Sequence, residues 1–253
     1  MDQLLKSNPP MRARLLAAVG IALIVAAWWL AIAIFDVKPF IAPSPAQVLR
    51  TLYEKRELLL ANLAPTAIEA ASGFVIGNFA ALLLATVFVH SKTLHDMFFP
   101  AVVMFNSIPV LAKAPILVLL LGNGMEPKIA VAALVCLFPT LVNTYRGLQA
   151  VPAQQLELMR VLSASRAEVF FRLRLWNALP FFFSGLRISA TACVIGAVIG
   201  EWIGTDVGVG ALILQATYNF DSALLYAAIV LCAALSGCFF LAVALAERLV
   251  VRW

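Results

Sequence analysis

The chain has 253 residues, of which 63% are hydrophobic and only 12% carry a charged side chain. A soluble domain has about 25% charged residues, so this sequence lacks much of the polar surface that water requires. Its composition excludes a water-soluble enzyme, a nucleic-acid-binding protein and a disordered tail. The formal net charge of +5 is interpreted as lysine and arginine side chains placed at one face of a membrane.

Long apolar stretches predict an all-α protein that crosses a membrane six times. Each helical span needs about 20 apolar residues to cross roughly 30 Å of hydrocarbon, and six spans fit this length. The stretches are continuous rather than alternating, which disfavours a β-barrel, and the first is longer than a signal-peptide core, so an uncleaved first helix is expected. We expect one membrane domain over residues 1–253, with spans at 15–35, 66–89, 97–121, 128–143, 180–202 and 223–246.

A proline-rich segment and an amphipathic segment follow the first predicted span. Ser44 and Pro45 have the order of an N-cap and a first helical residue. Residues 46–62 place apolar side chains on one face and charges on the other, which predicts a helix lying in the membrane interface on the outer side. The spacing of Thr66 and Glu69 is that of a capping box, so we expect the second span to begin there.

The third predicted span contains three prolines and cannot remain a regular helix. Lys113 lies between Pro109 and Pro115 in this stretch. A broken helix at membrane depth is tolerated where it is buried or lines a cavity. Lys113 is therefore interpreted either as a cation of a translocation pathway or as a side chain that reaches the interface or pairs with an acid.

No cofactor, metal site or catalytic residue is predicted in this chain. His90 and His95 are five residues apart without a nearby cysteine. The cysteines lie in apolar stretches without CxxC spacing, so we expect small core residues rather than disulfides or a zinc site. No pair of nucleophile and base, and no pair of carboxylates, converges in the spans. The cysteines are Cys136, Cys193, Cys232 and Cys238.

Basic residues indicate how the chain is oriented in the membrane. If the N-terminus is cytoplasmic, the segments on that side hold eleven lysines and arginines and the opposite segments hold five, leaving out Lys113 and Arg187 within spans. The positive-inside rule then places both termini in the cytoplasm. Arg187 lies about two turns into the fifth span and is expected to extend toward the cytoplasmic face.

The longest polar stretch, residues 144–179, is predicted on the cytoplasmic side. Its pattern indicates a short amphipathic helix, a tight turn of small residues and a second, basic helix before Pro180 returns the chain to the membrane. A helix held below the bilayer in this way can receive force from a soluble partner. The turn consists of Ser163, Ala164 and Ser165.

Together these features resemble the permease subunits of bacterial ATP-binding-cassette importers, which carry the "EAA" loop in this position. The resemblance runs from residues 42–48 through 185–187 to the arginine-rich end. The subgroup it looks like is the nitrate, sulfonate and taurine group, which includes permeases for thiamine pyrimidine precursors and for riboflavin. Residues 200–204, 208–210 and 220–224 are especially similar to the branch that contains the thiamine-precursor and riboflavin permeases. Leu158 and Met159 stand where the family has alanines, and Ser163 stands at its loop glycine.

The resemblance implies a type I importer-like transmembrane domain whose coupling loop docks onto a separate ATPase. The chain lacks the GxxxxGK[ST] motif, so ATP and magnesium are expected on that partner. The implied assembly has two ATPase copies, a second permease copy around a central pore and a periplasmic or extracellular substrate-binding protein, in the bacterial cytoplasmic (inner) membrane. Membrane lipid is also expected to contact the protein, and no nucleic-acid partner is expected. The coupling residues are Glu157, Leu158, Met159, Ser163, Ala164 and Ser165.

Small residues recur every four positions in the fifth predicted span, and Glu201 lies near the outer end of this ridge, which consists of Ala192, Gly196, Gly200 and Gly204. The ridge is interpreted either as ordinary helix packing or as a seam of the translocation pathway. An acid near a membrane is a functional candidate, although Glu201 can equally be solvated at the interface. The candidate pathway residues are Lys113, Gly196, Gly200 and Glu201.

The sequence therefore predicts an importer permease that works by alternating access. Its substrate is expected to be a thiamine pyrimidine precursor or similar heterocycle, or an anion of the sulfonate, nitrate or taurine type. A secondary transporter driven by an ion gradient is the first alternative, and it predicts ionisable residues in several spans and an inverted repeat. An integral membrane enzyme is the second, and it requires a reactive cluster at one interface.

Overall fold

The computed structural model describes residues 11–203 and 205–251, and these residues form helices and no strand. A π-helical turn, Phe170–Arg174, joins α8 to α9 so that Arg166–Glu201 is one continuous helix. The all-α prediction is confirmed. The helices are α1 Met11–Ile34, α2 Pro45–Glu54, α3 Arg56–His90, α4 Lys92–Ser107, α5 Val110–Leu121, α6 Glu126–Gln149, α7 Ala153–Val161, α8 Arg166–Val169, α9 Leu175–Glu201, α10 Val209–Tyr218 and α11 Ser222–Val250.

Several helices have the length and hydropathy of membrane spans. Within the described residues, α3, α6, the continuous helix ending in α9, and α11 are each long and apolar enough to cross a membrane. The α4 and α5 helices form a fifth span if they are counted together, and α1 contains a shorter apolar stretch, Ala18–Ile34. A multi-span helical protein is thus confirmed, while the count of six spans and the position of the termini stay predictions.

The chain divides into two compact units. Among the described residues, the first unit comprises residues 11–56 and Gln215–Ala227. The second unit comprises Glu57–Leu214 and residues 228–251. In the first unit, the Ser44 hydroxyl accepts the Gln47 N–H at 3.3 Å, while the Gln47 side chain accepts the Ser44 N–H at 2.9 Å. This capping box starts α2 at Pro45, where the sequence predicts a helix start.

The structure divides the stretch around the second predicted span differently from the sequence-based prediction. The α2 helix ends at Glu54 and α3 begins at Arg56, so the predicted interfacial helix of residues 46–62 covers α2 and the first turns of α3. Thr66 lies inside α3 rather than at a helix start, because α3 already begins at Arg56 and continues through Pro65. Its hydroxyl bonds to the buried Glu201 carboxylate and does not cap a helix start.

The third predicted span breaks at one of its three prolines, Pro109, whereas Pro100 and Pro115 lie inside α4 and α5. The α4 helix ends at Ser107, Pro109 precedes α5, and the two helix axes meet at 101°. Proline lacks an N–H and restricts the residue before it to extended backbone, so a helix cannot continue through Ile108 and Pro109. Because of this bend, Asn106 and Lys113 line the same cavity.

The α6 helix lies against both α3 and α9, and glycines allow the close approach. A Cβ atom added at Gly196 of α9 would lie 2.7 Å from the Ala132 Cα, and one at Gly77 of α3 would collide with the backbone of Ala133. Buried polar side chains also join the three helices. The Thr140 hydroxyl donates to Asn78 at 2.5 Å and lies 2.7 Å from the Ser189 hydroxyl, as expected of polar contacts between spans.

Candidate functional site

Four buried polar side chains meet where α3, α6 and α9 come together. Thr66, Glu69 and Glu201 are fully buried, and Lys128 is 6% exposed. We call these four residues the acid–lysine cluster. Ionisable residues inside a membrane domain are costly to bury, so they are retained where they pair with one another or serve a function.

Hydrogen bonds hold the acid–lysine cluster together. The Lys128 ammonium lies 3.3 Å from Glu69 Oε1 and donates to the Thr205 hydroxyl at 3.0 Å. The Thr66 hydroxyl donates to Glu201 Oε1 at 2.5 Å. Glu69 is therefore in an ion pair with Lys128, while Glu201 is held by the Thr66 hydroxyl in the same buried cluster.

The start of α10 closes over Glu201. The Gly210 N–H donates to Glu201 Oε2 at 2.6 Å, and the Val209 N–H donates to the Thr66 hydroxyl at 2.9 Å. A carboxylate at a helix N-terminus is stabilised by the unpaired N–H groups there. Gly208 has a φ of +115°, and a Cβ atom there would collide with the Glu201 carboxylate. The glycines after Glu201 thus let the backbone wrap around its side chain, which excludes a solvated Glu201.

The ridge glycines and Lys113 lie in different places. Gly196 and Gly200 pack against Ala132 and Lys128 of α6, so the structure gives them the helix-packing role that was one of the two interpretations. Lys113 lies on α5, where it lines two adjoining cavities of 640 and 170 Å³. Ala192, the first residue of the ridge, also lines the smaller cavity. Gly200 and Glu201 are therefore brought to Lys128, not to Lys113.

The predicted coupling segment forms a helix, a tight turn and a second helix. At the end of α7, the Ala164 N–H donates to the Met159 carbonyl at 2.9 Å and the Ser163 N–H to the Arg160 carbonyl at 2.9 Å. This pair of bonds is a Schellman motif, whose left-handed residue is usually glycine. Ser163 takes that position with a φ of 54°, which explains why the resembling family has glycine there.

The second helix of the coupling segment begins with a capping box. The Ser165 hydroxyl accepts the Glu168 N–H at 3.2 Å, and the Glu168 carboxylate accepts the Ser165 N–H at 2.9 Å. Beside the turn, a groove of 480 Å³ is lined by His90 and by arginines of α7, α8 and the π-helical turn. Ser163 and Ser165 are exposed, as is Glu157, whereas Met159 and Ala164 are half-buried.

Two ion pairs were not expected from the sequence, and Glu69 and Glu201 lie in one buried cluster although no pair of carboxylates is predicted to converge in the spans. From the sequence, Glu69 is interpreted as a capping residue and Lys128 as a basic residue at the outer end of the fourth span, although the two form an ion pair. Arg187 pairs with Glu247 of α11 at 2.6 Å rather than only extending toward the interface. Glu69 lies four and eight residues before the packed glycines of α3, and this spacing on one helix face is the signal that could have identified it.

An ion pair joins the two segments of the first unit. The Lys55 ammonium lies 2.7 Å from Asp221 Oδ2, and Asp221 Oδ1 accepts the Leu224 N–H at 3.0 Å at the start of α11. The neighbouring Ser222 hydroxyl donates to the Phe40 carbonyl. Burial alone would raise the pKa of Asp221, but the hydrogen bonds from Lys55 and Leu224 outweigh it and hold this pKa below its ordinary 3.8.

Asp221→Asn is expected to destabilise the protein at neutral pH by about 1 kcal/mol, because a half-exposed ion pair is weakened and the helix cap is altered. A carboxyl with a lowered pKa stabilises the fold above its unfolded-state pKa and loses that contribution as the pH falls. The difference in melting temperature between wild type and variant should therefore shrink as the pH falls below 3.8. The exposed Asp206→Asn variant is the control. A difference that is constant with pH would contradict the assignment.

Comparison with known proteins places this arrangement among transport proteins. Residues 73–253 match the family described as "Binding-protein-dependent transport system inner membrane component". The chain is 33% identical over 217 residues to the formylaminopyrimidine transport permease protein ThiX of Halalkalibacterium halodurans, covering 85% of this chain and 87% of the relative. It is 31% identical over 237 residues to the riboflavin transport system permease protein RibX of Chloroflexus aurantiacus, covering 93% and 88%.

Two further comparisons agree. A probable ABC transporter permease protein of Haemophilus influenzae is 33% identical over 228 residues, with 90% of this chain and 92% of the relative covered. Among solved structures, a chain of the inward-facing MetNI methionine ABC transporter superposes with a TM-score of 0.60 at 20% identity, covering 83% of this chain and 98% of that chain. The predicted importer-like transmembrane fold is confirmed.

Proposed function

Because this chain belongs to the family of binding-protein-dependent transport system inner membrane components, we propose that it couples to a separate ATPase through its segment of α7, turn and α8. It is a permease component of the ABC importers, and relatives named for formylaminopyrimidine, riboflavin, sulfonates and nitrate confirm the subgroup expected from the sequence. The coupling role is inferred from the geometry of that segment.

Exposed apolar side chains on the coupling segment carry this proposal. Leu158 is 59% exposed, Val161 81% and Leu162 66%. Apolar side chains grouped on one short helix of a polar loop are typical of a surface that a partner covers. The Schellman motif at Ser163 and the capping box at Ser165 fix both sides of the turn. A segment held this way transmits displacement instead of bending, which is what coupling requires.

The remaining assembly follows from the same role. The protein lies in the bacterial inner membrane, with the coupling segment and both termini on the cytoplasmic side. Two copies of the permease enclose the translocation pathway. Two ATPase subunits bind ATP and magnesium and drive alternating access. A periplasmic or extracellular binding protein delivers the substrate. The relatives of this chain support a small heterocyclic nutrient as the substrate, because those named for formylaminopyrimidine and riboflavin align over more than four-fifths of this chain.

One observation favours a second candidate function, transport driven by an ion gradient. Such transporters place ionisable residues in several spans, and Glu69, Lys128 and Glu201 are buried together on three helices. The two candidates differ in their energy source. Uptake into vesicles that requires ATP and the partner ATPase supports the importer, whereas uptake driven by a proton gradient without ATPase supports the alternative.

The double variant Leu158→Asp/Val161→Asp is expected to lower both ATPase co-purification and substrate uptake by about tenfold or more, because two exposed anchors of an apolar interface become charged. Both side chains are exposed, so the melting temperature of the permease alone should remain within about 2 °C of wild type. Pull-down of the partner ATPase and uptake in reconstituted vesicles measure the effect.

Ser163→Gly is the matched control for the coupling segment. It keeps the turn, because glycine adopts a positive φ without strain, and it relieves about 1 kcal/mol of unfavourable backbone conformation. Coupling should be retained in this variant. Normal ATPase binding by the Leu158→Asp/Val161→Asp variant would show that the segment is not the docking surface.

A further inference from the structure

A cavity of 640 Å³ lies between the end of α3, the bent pair α4–α5, and α6. Its volume is in the range of small-molecule sites, about 300–1,000 Å³. Nearly all of its lining side chains are apolar, and several are phenylalanines. Asn106 and Lys113 are its polar members, and both also line the adjoining cavity of 170 Å³. The aromatic members of the larger cavity are Phe88, Phe98, Phe105 and Phe138.

Lys113 is a buried cation that has no acidic partner among the described residues. It is 8% exposed, and none of the ion pairs within residues 11–203 and 205–251 includes it. Its ammonium lies 4.6 Å from the centre of the Phe105 ring. An aromatic face attracts the charge but does not accept the ammonium hydrogen bonds as an oxygen or nitrogen does. Lys128, by contrast, has Glu69.

The bend between α4 and α5 explains why Asn106 and Lys113 line the same cavity. Asn106 lies in the last turn of α4 and Lys113 in the first turn of α5, on either side of the break at Ile108 and Pro109. Broken helices at membrane depth commonly form binding sites, because they bring polar groups into an apolar environment. The cost of burying Lys113 is offset when a ligand supplies an acceptor.

We propose that this cavity binds the transported substrate, and that the substrate is a planar heterocycle with an electronegative acceptor atom. This inference rests on the proposed importer function. The acceptor atom, a carbonyl oxygen or ring nitrogen, receives a hydrogen bond from Lys113, and the Asn106 amide supplies a second polar contact. The ring packs among Phe98, Phe105 and Phe138, which provide flat apolar surfaces. A small aliphatic anion would satisfy the cation but leave the aromatic surfaces unfilled.

Equilibrium binding to the purified permease tests this site, with riboflavin, a formylaminopyrimidine and ethanesulfonate as probes. We expect at least one heterocycle to bind wild type more tightly than ethanesulfonate does. Lys113→Met should weaken that binding by about tenfold, because a charged hydrogen bond is lost, and Lys113→Arg should retain most of it. Asn106→Leu, at an exposed side chain, gives an independent and smaller loss that does not depend on how Lys113→Met folds.

Three outcomes overturn the site. Equal affinity of wild type and Lys113→Met for the heterocycle, tighter binding of ethanesulfonate than of either ring compound, or no binding of any probe would each do so. ATPase pull-down and ATP hydrolysis are measured on the same variants. If the ATPase associates and hydrolyses ATP normally while Lys113→Met binds like wild type, only the substrate site fails. If the ATPase does not associate with wild type, the proposed function itself fails.

Discussion

Lys128→Met is expected to destabilise the helical domain by about 3–5 kcal/mol, which corresponds to a fall of about 10 °C in melting temperature. The substitution removes the ammonium that lies 3.3 Å from Glu69 and leaves two fully buried carboxyl groups without a cation. A buried charge that has lost its partner costs far more than the pair contributes. Thermal unfolding and gel filtration of the purified protein measure the effect.

Compensating variants separate lost charge from lost packing. Adding Glu69→Gln to Lys128→Met removes one of the two uncompensated carboxyl groups, so the double variant should recover a large part of the lost stability. Lys92→Met, at an exposed lysine, should leave the melting temperature unchanged. If the Lys128→Met protein melts within about 2 °C of wild type, the acid–lysine cluster does not stabilise the fold as described.

The acid–lysine cluster also links the membrane helices to the segment that follows α9. Lys128 donates to Thr205 at 3.0 Å, and the Asn62 amide oxygen accepts the Gly208 N–H at 2.9 Å. The backbone after Glu201 is therefore tied to both α3 and α6. A movement of α9 relative to these helices has to carry that segment with it or break these bonds. The cluster is thus a structural link between the packing of α3, α6 and α9 and the first turn of α10.

Features that depend on neighbouring residues in the chain could be predicted from the sequence. The cap at Ser44 follows from a hydroxyl before a proline. A break somewhere in the third predicted span follows from its three prolines, although their missing N–H groups do not select Pro109 over Pro100 and Pro115. The helix, turn and helix around Ser163 follow from small residues between two amphipathic stretches. In each case the deciding interaction lies within about five residues, so hydropathy and turn chemistry suffice.

Contacts between distant residues could not be predicted in the same way. Glu69, Lys128 and Glu201 lie on three different helices, and nothing in a single sequence pairs them. The local capping-box pattern also gave Glu69 a competing role at a helix start, which tertiary packing overrode. The ridge of the fifth span shows a related limit, because a stripe of small residues predicts close contact but not which helix it contacts. The structure places Gly196 against Ala132.

Gly77→Ala is expected to destabilise the protein by about 1–3 kcal/mol, although it adds only one methyl group. The new Cβ atom would lie 2.9 Å from both the Cα and the carbonyl carbon of Ala133. These are backbone atoms, so no side-chain rotation relieves the contact, and α3 has to move away from α6. That movement weakens the adjacent hydrogen bond between Thr140 and Asn78, which is 2.5 Å long. A melting temperature lower by several degrees is the expected measurement.

A comparison with Gly73 shows whether backbone contact is the cause. The atom nearest to a Cβ added at Gly73 is the Ala132 Cβ, a side-chain atom. Ala132→Gly should therefore rescue part of the stability lost in Gly73→Ala, whereas Ala133→Gly should not rescue Gly77→Ala. Gly237→Ala is the control, since no atom lies within 4 Å of its added Cβ, and it should match or exceed wild-type stability because alanine favours helix. Rescue of Gly77→Ala by Ala133→Gly would show that the helices are not in backbone contact there.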